Sequence, residues 1–155
     1  MPDPVEFAIR DAVPADVAAL RQVYRRASLS NAGDRMNLLA NPDALEWGDL
    51  GEDDRRTRVA AAAGGRIAGF ATSRPAGDAL ELDDLFVDPG WMRQGAARAL
   101  VLDVVAHARA QGIGRIEVTA NRHALAFYEK AGFVAGREVQ TRFGPGLRMH
   151  LDVAR

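Results

Sequence analysis

The chain has 155 residues, of which 48% are hydrophobic and 26% are charged, and its formal net charge is −1. These totals are typical of a globular protein with one core, so we expect a single domain over residues 1–155. The near-neutral charge excludes a global basic field for nucleic acid or anionic lipid, and no run reaches the roughly 18 apolar residues that cross a bilayer. The absence of cysteine excludes disulfides, thiolate catalysis and cysteine-ligated zinc.

The first third of the chain is predicted to contain a strand, a helix and an acidic segment. Residues 5–10 alternate as a strand, and the N-terminus has no basic segment followed by an apolar run, so we expect a cytoplasmic protein without a secretory signal. Pro14 suits the first turn of a helix that ends near Ala27. Residues 28–54 are rich in acids, which favours either a solvated surface or a rim that attracts a cationic substrate, with Trp47 packed against it.

Strands and turns fill the middle of the chain. Residues 57–63 and 66–73 alternate as strands, and Gly64-Gly65 between them predicts a hairpin with a primed turn. Residues 75–78 are predicted to form the next turn, and residues 79–88 a fourth strand.

The second half alternates helices and strands. Residues 95–111 form a patterned helix, with an apolar face made of Leu100, Val101, Val104, Val105 and Ala108. Residues 113–120 form a fifth strand, and residues 121–131 a helix capped by Gly132. The last two strands, 133–142 and 147–153, are joined by Gly144-Pro145-Gly146. This order predicts an α/β fold with a mixed sheet and helices on both faces.

The fourth strand has an irregular pattern. Its apolar residues occupy two parities: Leu80 and Leu82 on one, Leu85 and Val87 on the other. One extra residue near Asp83 or Asp84 would direct all four to one core, which is what a β-bulge does. The alternative is a strand buried on both faces, which Phe86 also fits. A bulge leaves backbone groups available to an extended ligand.

The segment after this strand is suited to an anion. Small residues at Gly95, Ala96 and Ala97 open the next helix and let a ligand approach its backbone. The first-turn amides of a helix lack internal partners and lie at its positive end, so they bind phosphate or pyrophosphate. Arg93 and Arg98 are placed to add ion pairs.

Together these features resemble the GNAT superfamily of acetyl-CoA-dependent N-acyltransferases, from Val5 to Val153. The family's acyl-CoA signature, a strand followed by [Q/R]-x-x-G-x-[G/A], corresponds to residues 92–97, where Gly95 and Ala97 match. Met92 replaces the expected Gln or Arg, which removes one polar side chain but no backbone amide. We therefore expect weaker or rearranged pyrophosphate contacts with binding retained.

A second family motif, N-x-x-A-x-x-x-Y-x-x-x-G-F, is matched by Asn121, Ala124, Tyr128, Gly132 and Phe133. The resemblance implies a single-domain, mixed, mostly antiparallel sheet of about seven strands. It also implies an enzyme that moves the acetyl group of acetyl-CoA to an amine. No metal site is expected, because the chain lacks cysteine and its three histidines, His107, His123 and His150, have neither HxxH nor HxxxH spacing.

The resemblance also implies which residues bind acetyl-CoA. The backbone of Leu85, Phe86 and Val87 would pair with the pantetheine arm as an added strand. The amides from Arg93 to Arg98 would cradle the pyrophosphate, and Asn121 would reach the pantetheine from the facing side or simply cap its helix. The complete implied set is Leu85, Phe86, Val87, Arg93, Gln94, Gly95, Ala96, Ala97, Arg98, Asn121 and Tyr128.

Attack of an amine on a thioester needs a base for the amine, donors for the oxyanion and an acid for the leaving thiolate. The resemblance points to Tyr128 as the acid and to the backbone N–H of Val87 as the oxyanion donor. For the base it points first to Glu81, six residues before Val87. Asp83 and Asp84 at the expected bulge, Glu117 on the fifth strand, and an ordered water remain alternatives.

The acceptor is less well defined by the sequence. The acidic residues between 43 and 54 favour a small cationic amine. A protein N-terminus or lysine is the first alternative, and a non-catalytic acyl-CoA-binding module is the second. The partners expected are therefore acetyl-CoA and a small-molecule amine or peptide, and a homodimer is possible.

Overall fold

The computed structural model describes residues 6–30, 50, 54–141 and 144–153. Over these residues the chain forms one seven-stranded sheet and three α-helices. The strands are β1 (Ala8–Asp11), β2 (Arg56–Ala61), β3 (Ile67–Ala76), β4 (Ala79–Val87), β5 (Arg115–Asn121), β6 (Val134–Thr141) and β7 (Gly144–Asp152). The helices are α1 (Val17–Leu29), α2 (Ala96–Ala110) and α3 (Leu125–Lys130).

The sheet has the order β1-β2-β3-β4-β5-β7-β6. Neighbouring strands are antiparallel, except that β4 and β5 run parallel. A parallel pair needs a crossover connection, and α2 provides it. The mixed, mostly antiparallel sheet expected from the sequence is therefore confirmed. None of the helices in the described ranges is long and apolar enough to span a membrane.

Helices cover the sheet on both faces and create two apolar cores. On one face, α2 buries Leu100, Val101, Val104 and Ala108, and α3 buries Tyr128. On the other face, the α1 side, the buried cluster is Leu20, Val23, Val59 and Phe70. The predicted apolar face of α2 is confirmed, and Val105 packs partly buried against the same core.

The β-bulge expected in β4 is present. Thr72 of β3 lies opposite Asp84, whereas the next residue, Ser73, lies opposite Leu82, so Asp83 is the extra residue. As a result Leu80, Leu82, Leu85 and Val87 all contact the α2-side core. Phe86 points to the opposite face and packs against the α1-side cluster. The bulge thus restores the phase of the strand while both faces stay covered.

Several predicted boundaries were wrong. The turn expected at residues 75–78 is shorter, because Pro75 lies in β3 opposite Leu80. The connector Gly144-Pro145-Gly146 belongs to β7, where Gly144 pairs with Thr141. The last helix begins at Leu125 rather than Asn121, since Asn121 is still paired in β5 with Gly146. The predicted strand residue Val5 and most of the acidic segment 28–54, including Trp47, lie outside the described residues.

The start of α1 is held by a buried carboxylate. Asp16 accepts hydrogen bonds from both terminal nitrogens of Arg10, at 2.8 and 3.1 Å, and from the backbone N–H of Val13, at 2.8 Å. The bidentate bond from Arg10 is the largest cause that lowers the pKa of Asp16 below its usual value. This contact ties β1 to the helix that follows it.

We expect Asp16→Asn to lower the free energy of unfolding by about 1–3 kcal/mol at pH 7, because charged hydrogen bonds are lost. Since the folded-state pKa lies below the unfolded value of about 3.9, this stabilisation is complete above pH 5 and disappears as the pH falls through the folded pKa. Urea unfolding at pH 7 and pH 3 measures both effects. Asp11→Asn is the control, because the Asp11 side chain is 77% exposed and should contribute below about 1 kcal/mol. Equal losses in the two variants would contradict the prediction.

Candidate active site

The parallel strands β4 and β5 separate part-way along their length. Their pairing joins Leu80, Glu81 and Leu82 to Ile116, Glu117 and Val118. Beyond that point, the segment from Asp84 to Val87 pairs with β3, and the segment from Thr119 to Asn121 pairs with β7. The two strands therefore enclose a wedge-shaped gap, with the backbone edge of Leu85, Phe86 and Val87 along one side.

A tight turn connects this edge to α2. Asp88 accepts a hydrogen bond from the backbone N–H of Gly90 at 2.8 Å, and its other carboxylate oxygen lies 2.9 Å from Arg26 of α1. Arg93 has a φ of 63° and Gly95 a φ of 92°, both in the left-handed region. This conformation costs about 1–2 kcal/mol for a residue with a side chain such as Arg93. Strain of this kind is often found in turns that shape a ligand site.

The first turn of α2 follows Gly95 directly. The amide of Ala99 donates to the carbonyl of Gly95 at 3.0 Å, so the amides of Ala96, Ala97 and Arg98 precede the first such bond of the helix. A Cβ built on Gly95 would have no atom within 4 Å. The backbone at this end of the gap is therefore open to a ligand, as a pyrophosphate cradle requires. Met92 is 53% exposed beside it.

Tyr128 lies on the α2 side of the gap. The residue is 6% exposed and packs edge-on against Phe127 and Phe133. Burial is the main cause that raises the pKa of Tyr128 well above its ordinary value, and the negative charge of Asp84 adds to the shift. The phenol is therefore fully protonated at neutral pH and is available as a proton donor.

Asn121 lies at the end of β5, on the far side of the gap from β4. Its side-chain oxygen accepts a hydrogen bond from the backbone N–H of Ala124 at 3.1 Å. This bond stabilises the turn that precedes α3. Asn121 therefore caps that turn, and α3 itself begins only at Leu125. Asn121 is exposed.

An arginine on β7 joins two of the candidate bases. Arg148 donates to both carboxylate oxygens of Glu81, at 2.5 and 3.2 Å. It also donates to Glu117 at 2.9 Å and to the hydroxyl of Thr119 at 3.0 Å. These bonds raise the pKa of Arg148, with the one to Glu81 as the largest cause. Glu81 and Glu117 are register partners, so the arginine ties β4, β5 and β7 together where the gap begins.

The bulge separates the two aspartates of β4. Asp83, the extra residue, accepts a hydrogen bond from Arg74 at 2.9 Å. Asp84 accepts one from the hydroxyl of Thr72 at 2.5 Å. Thr72 is fully buried, whereas the Arg74 side chain is 41% exposed. The two neighbouring carboxylates therefore lie in different environments.

The mouth of the gap is acidic overall. Its four carboxylates face three guanidinium groups, a formal charge of −1; the residues are Glu81, Asp83, Asp84, Glu117, Arg74, Arg115 and Arg148. Within the ranges that the structure describes, His, Asp and Glu side chains form no group of three suited to a metal ion. The arrangement therefore combines an open backbone edge, an anion-binding helix end, a protonated phenol and an acidic mouth.

Comparison with known proteins identifies the family. Residues 18–133 match the family model described as "Acetyltransferase (GNAT) family". The chain belongs to the GNAT acetyltransferases. The match includes the gap, the turn before α2, and Tyr128.

Two curated relatives and one solved structure illustrate the range of this GNAT family. Streptothricin acetyltransferase of Streptomyces lavendulae is 38% identical over 57% of this chain and 50% of its own length. The [ribosomal protein bS18]-alanine N-acetyltransferase of Escherichia coli K12 is 36% identical over 44% of this chain and 49% of its own. The crystal structure of the PaiA N-acetyltransferase of Thermoplasma acidophilum with coenzyme A has a TM-score of 0.72 and 18% identity, covering 95% of this chain and 99% of the other. The chain thus spans about half the length of these two curated relatives.

The residues predicted from the sequence of this GNAT chain are grouped around one gap. Leu85, Phe86 and Val87 form the β4 edge of this gap, Asn121 ends β5 on its other side, and the residues from Arg93 to Arg98 lead into α2. Tyr128 lies in the α2-side core, within reach of the charge of Asp84. Sequence reasoning did not identify Thr72, Arg74 and Arg148, which contact the candidate bases. No local motif marks these residues, because their partners lie on other strands.

Proposed function

We propose that this GNAT protein transfers the acetyl group of acetyl-CoA to a primary amine, by direct attack in a ternary complex. The observation that carries the proposal is the continuous path along β4. The unpaired edge of Leu85, Phe86 and Val87 leads into the open turn at Gly95 and the first amides of α2. An extended pantetheine arm would add to this edge as a strand, and the pyrophosphate would bind the helix end.

The cofactor-binding residues proposed are those expected from the sequence. The amides between Arg93 and Arg98 hold the pyrophosphate, and the exposed side chains of Arg93 and Arg98 add charge. Asn121 contacts the pantetheine from β5. Met92 supplies no polar side-chain contact, and its backbone N–H donates to the carbonyl of Pro89 at 3.5 Å. A solved protein of similar fold contains coenzyme A, which supports coenzyme A as the class of ligand.

The reaction requires deprotonation of the amine, stabilisation of the oxyanion and protonation of the leaving thiolate. An alkylammonium ion, with a pKa near 10, must lose a proton to a carboxylate at the mouth of the gap before its nitrogen attacks. The backbone N–H of Val87 stabilises the oxyanion. Tyr128, buried and protonated, donates to the thiolate that leaves, and the phenol then regains a proton from the acylated nitrogen.

The acceptor that the site supports best is a small cationic amine. The net negative formal charge at the mouth attracts an ammonium group and disfavours an anionic acceptor. Streptothricin acetyltransferase among the relatives supports this class. The relative that acetylates the alanine of ribosomal protein bS18 supports a second candidate, the α-amine of a peptide.

Calorimetry and thiol release test this function. Purified protein is titrated with acetyl-CoA, and release of the CoA thiol is then followed with streptothricin, spermidine, a peptide that begins with alanine, and an N-terminally blocked peptide that contains one lysine. We expect micromolar binding and thiol release with the small cations, and slower release with the peptides. Release with the alanine peptide alone would assign the protein N-terminal class. Binding without release for every amine would overturn the catalytic proposal and leave an acyl-CoA-binding module.

A further inference from the structure

The two adjacent aspartates of β4, Asp83 and Asp84, have different hydrogen-bond partners, and the bulge determines which partner each one has. Without the extra residue, the register that pairs Ser73 with Leu82 would place Asp83 opposite Thr72. The bulge shifts the pairing so that Asp84 takes this place. Asp83 is instead directed to Arg74, at 2.9 Å. The backbone irregularity therefore selects one carboxylate for the position next to Thr72.

Thr72 is suited to hold that carboxylate in one orientation. Its side chain is fully buried, and a buried hydroxyl without a hydrogen-bond partner costs about 1–3 kcal/mol. The hydroxyl donates to Asp84 at 2.5 Å. Because the hydroxyl is locked in the sheet interior, the carboxylate that it binds is fixed relative to the strand edge that begins at Leu85.

Asp84 also lies where β4 and β5 separate, next to the open strand edge. It lies two residues beyond Leu82, where the pairing with β5 ends, and one residue before the open edge. Its charge reaches Tyr128, since it contributes to the raised pKa of that phenol. By contrast, both oxygens of Glu81 accept hydrogen bonds from Arg148, and Glu117 shares the same arginine. If Glu81 accepted a proton from the substrate, its bidentate ion pair with Arg148 would be broken.

We propose that Asp84 is the general base of the reaction and that Thr72 is the positioning residue that orients it. This inference rests on the proposed function and names the carboxylate that serves it. The alkylammonium gives one proton to Asp84, and the nitrogen lone pair then forms the C–N bond to the acetyl carbon. The C–S bond breaks with its electron pair on sulfur, which takes the proton of Tyr128.

The remaining steps restore the enzyme. The second nitrogen proton returns to the Tyr128 phenolate, and Asp84 releases its proton to solvent. An alkylammonium and acetyl-CoA thus become an amide, the CoA thiol and one proton. The order of the proton transfers couples Asp84 to Tyr128. Once Asp84 is protonated, its negative charge no longer opposes ionisation of Tyr128. The phenol therefore becomes a better acid just before the thiolate leaves.

The variants Asp84→Asn and Asp11→Asn test the assignment, with the most active amine of the panel as acceptor. We expect Asp84→Asn to lower kcat by about 100-fold or more, a typical effect of losing a general base. Asp11→Asn should change kcat by less than about threefold, since this carboxylate on β1 is 77% exposed in its ion pair with Arg58. Acetyl-CoA affinity by calorimetry should stay within about threefold in both. Equal losses, or full activity of Asp84→Asn, would overturn the role of Asp84.

Thr72 variants separate positioning from a structural role. Thr72→Val keeps the shape but removes the donor, and we expect it to lower kcat by about tenfold with little change in KM. Thr72→Ser restores the hydroxyl and should recover most of the activity. Thermal unfolding shows whether each variant is folded. A loss of kcat in Thr72→Ser equal to that in Thr72→Val would overturn the positioning role.

Two further readouts address the chemistry itself. Hydroxylamine is largely unprotonated at pH 7.5 and needs less help from a base, so the defect of Asp84→Asn should be smaller with hydroxylamine than with spermidine. The double variant Asp84→Asn/Tyr128→Phe should lose less than the product of the single losses, because the two groups act in one sequence. Equal defects with both nucleophiles would overturn the base assignment. A wild-type protein that binds acetyl-CoA but acetylates nothing would overturn the proposed function itself, a result distinct from failure of Asp84 alone.

Discussion

Gly95→Glu is expected to abolish acetyl-CoA binding, with a dissociation constant at least about 100-fold higher than that of the wild type. Position 95 opens α2, and a Cβ there would point into free space at the proposed pyrophosphate cradle. Two unit charges about 4 Å apart near a protein surface repel by about 4 kcal/mol. Each 1.4 kcal/mol is a factor of ten in affinity, so a carboxylate beside the pyrophosphate is sufficient. Calorimetric titration with acetyl-CoA measures the change.

Gly112→Glu is the matched control for this variant. Gly112 follows the other end of α2, has a φ of 69°, and likewise has no atom within 4 Å of a built Cβ. The backbone strain of a side chain at positive φ, about 1–2 kcal/mol, is therefore similar at the two positions. We expect Gly112→Glu to lose stability but to bind acetyl-CoA normally. Normal affinity in Gly95→Glu would show that the pyrophosphate lies elsewhere.

Tyr128→Phe is expected to lower kcat by about 100-fold while acetyl-CoA affinity changes by less than about threefold. The ring is packed between Phe127 and Phe133, so phenylalanine keeps the core filled and removes the proton donor alone. The affinity is spared because the cofactor is held chiefly by the edge of β4 and the start of α2. Steady-state kinetics together with calorimetry separate the two quantities.

The chain offers a matched control in its other tyrosine. The sequence contains two tyrosines, and Tyr24 of α1 stacks edge-on against Phe86 at 4.8 Å. Tyr24→Phe removes a hydroxyl at comparable cost in packing but on the opposite face of the sheet. We expect its effect on kcat to be much smaller. Equal turnover of Tyr128→Phe and the wild type would remove Tyr128 as the acid.

Local pattern was sufficient for much of the fold. The apolar spacing of Leu100, Val101 and Val104 predicted the buried face of α2, which is confirmed. The change of parity along β4 predicted the bulge, since a period of two cannot bury four residues of mixed parity. The predicted strand boundaries were wrong where pairing with a neighbouring strand outweighs the turn preference of a residue. Pro75 is tolerated inside β3 and Asn121 inside β5, because their pairing with Leu80 and Gly146 extends the strands past the expected turns.

The candidate site shows the same division. The sequence alone determined the family resemblance, the turn at Gly95 and the place of Tyr128, because each depends on residues close together along the chain. It left Glu81, Asp83, Asp84 and Glu117 as alternatives, with Glu81 placed first by resemblance alone. All four are carboxylates on predicted strands, and no local feature of the chain distinguishes their surroundings.

Only the tertiary structure separates these carboxylates. Their partners come from other strands: Arg148 is 67 residues from Glu81, and Thr72 is 12 residues from Asp84. Strand register brings these groups within hydrogen-bond distance. A shift of the β3–β4 register by one residue would place Asp83, instead of Asp84, opposite Thr72. The sequence thus determined the family resemblance of this chain, whereas the register of β3, β4, β5 and β7 decided the environment of each acidic group, because hydrogen bonds across a sheet depend on alignment in space.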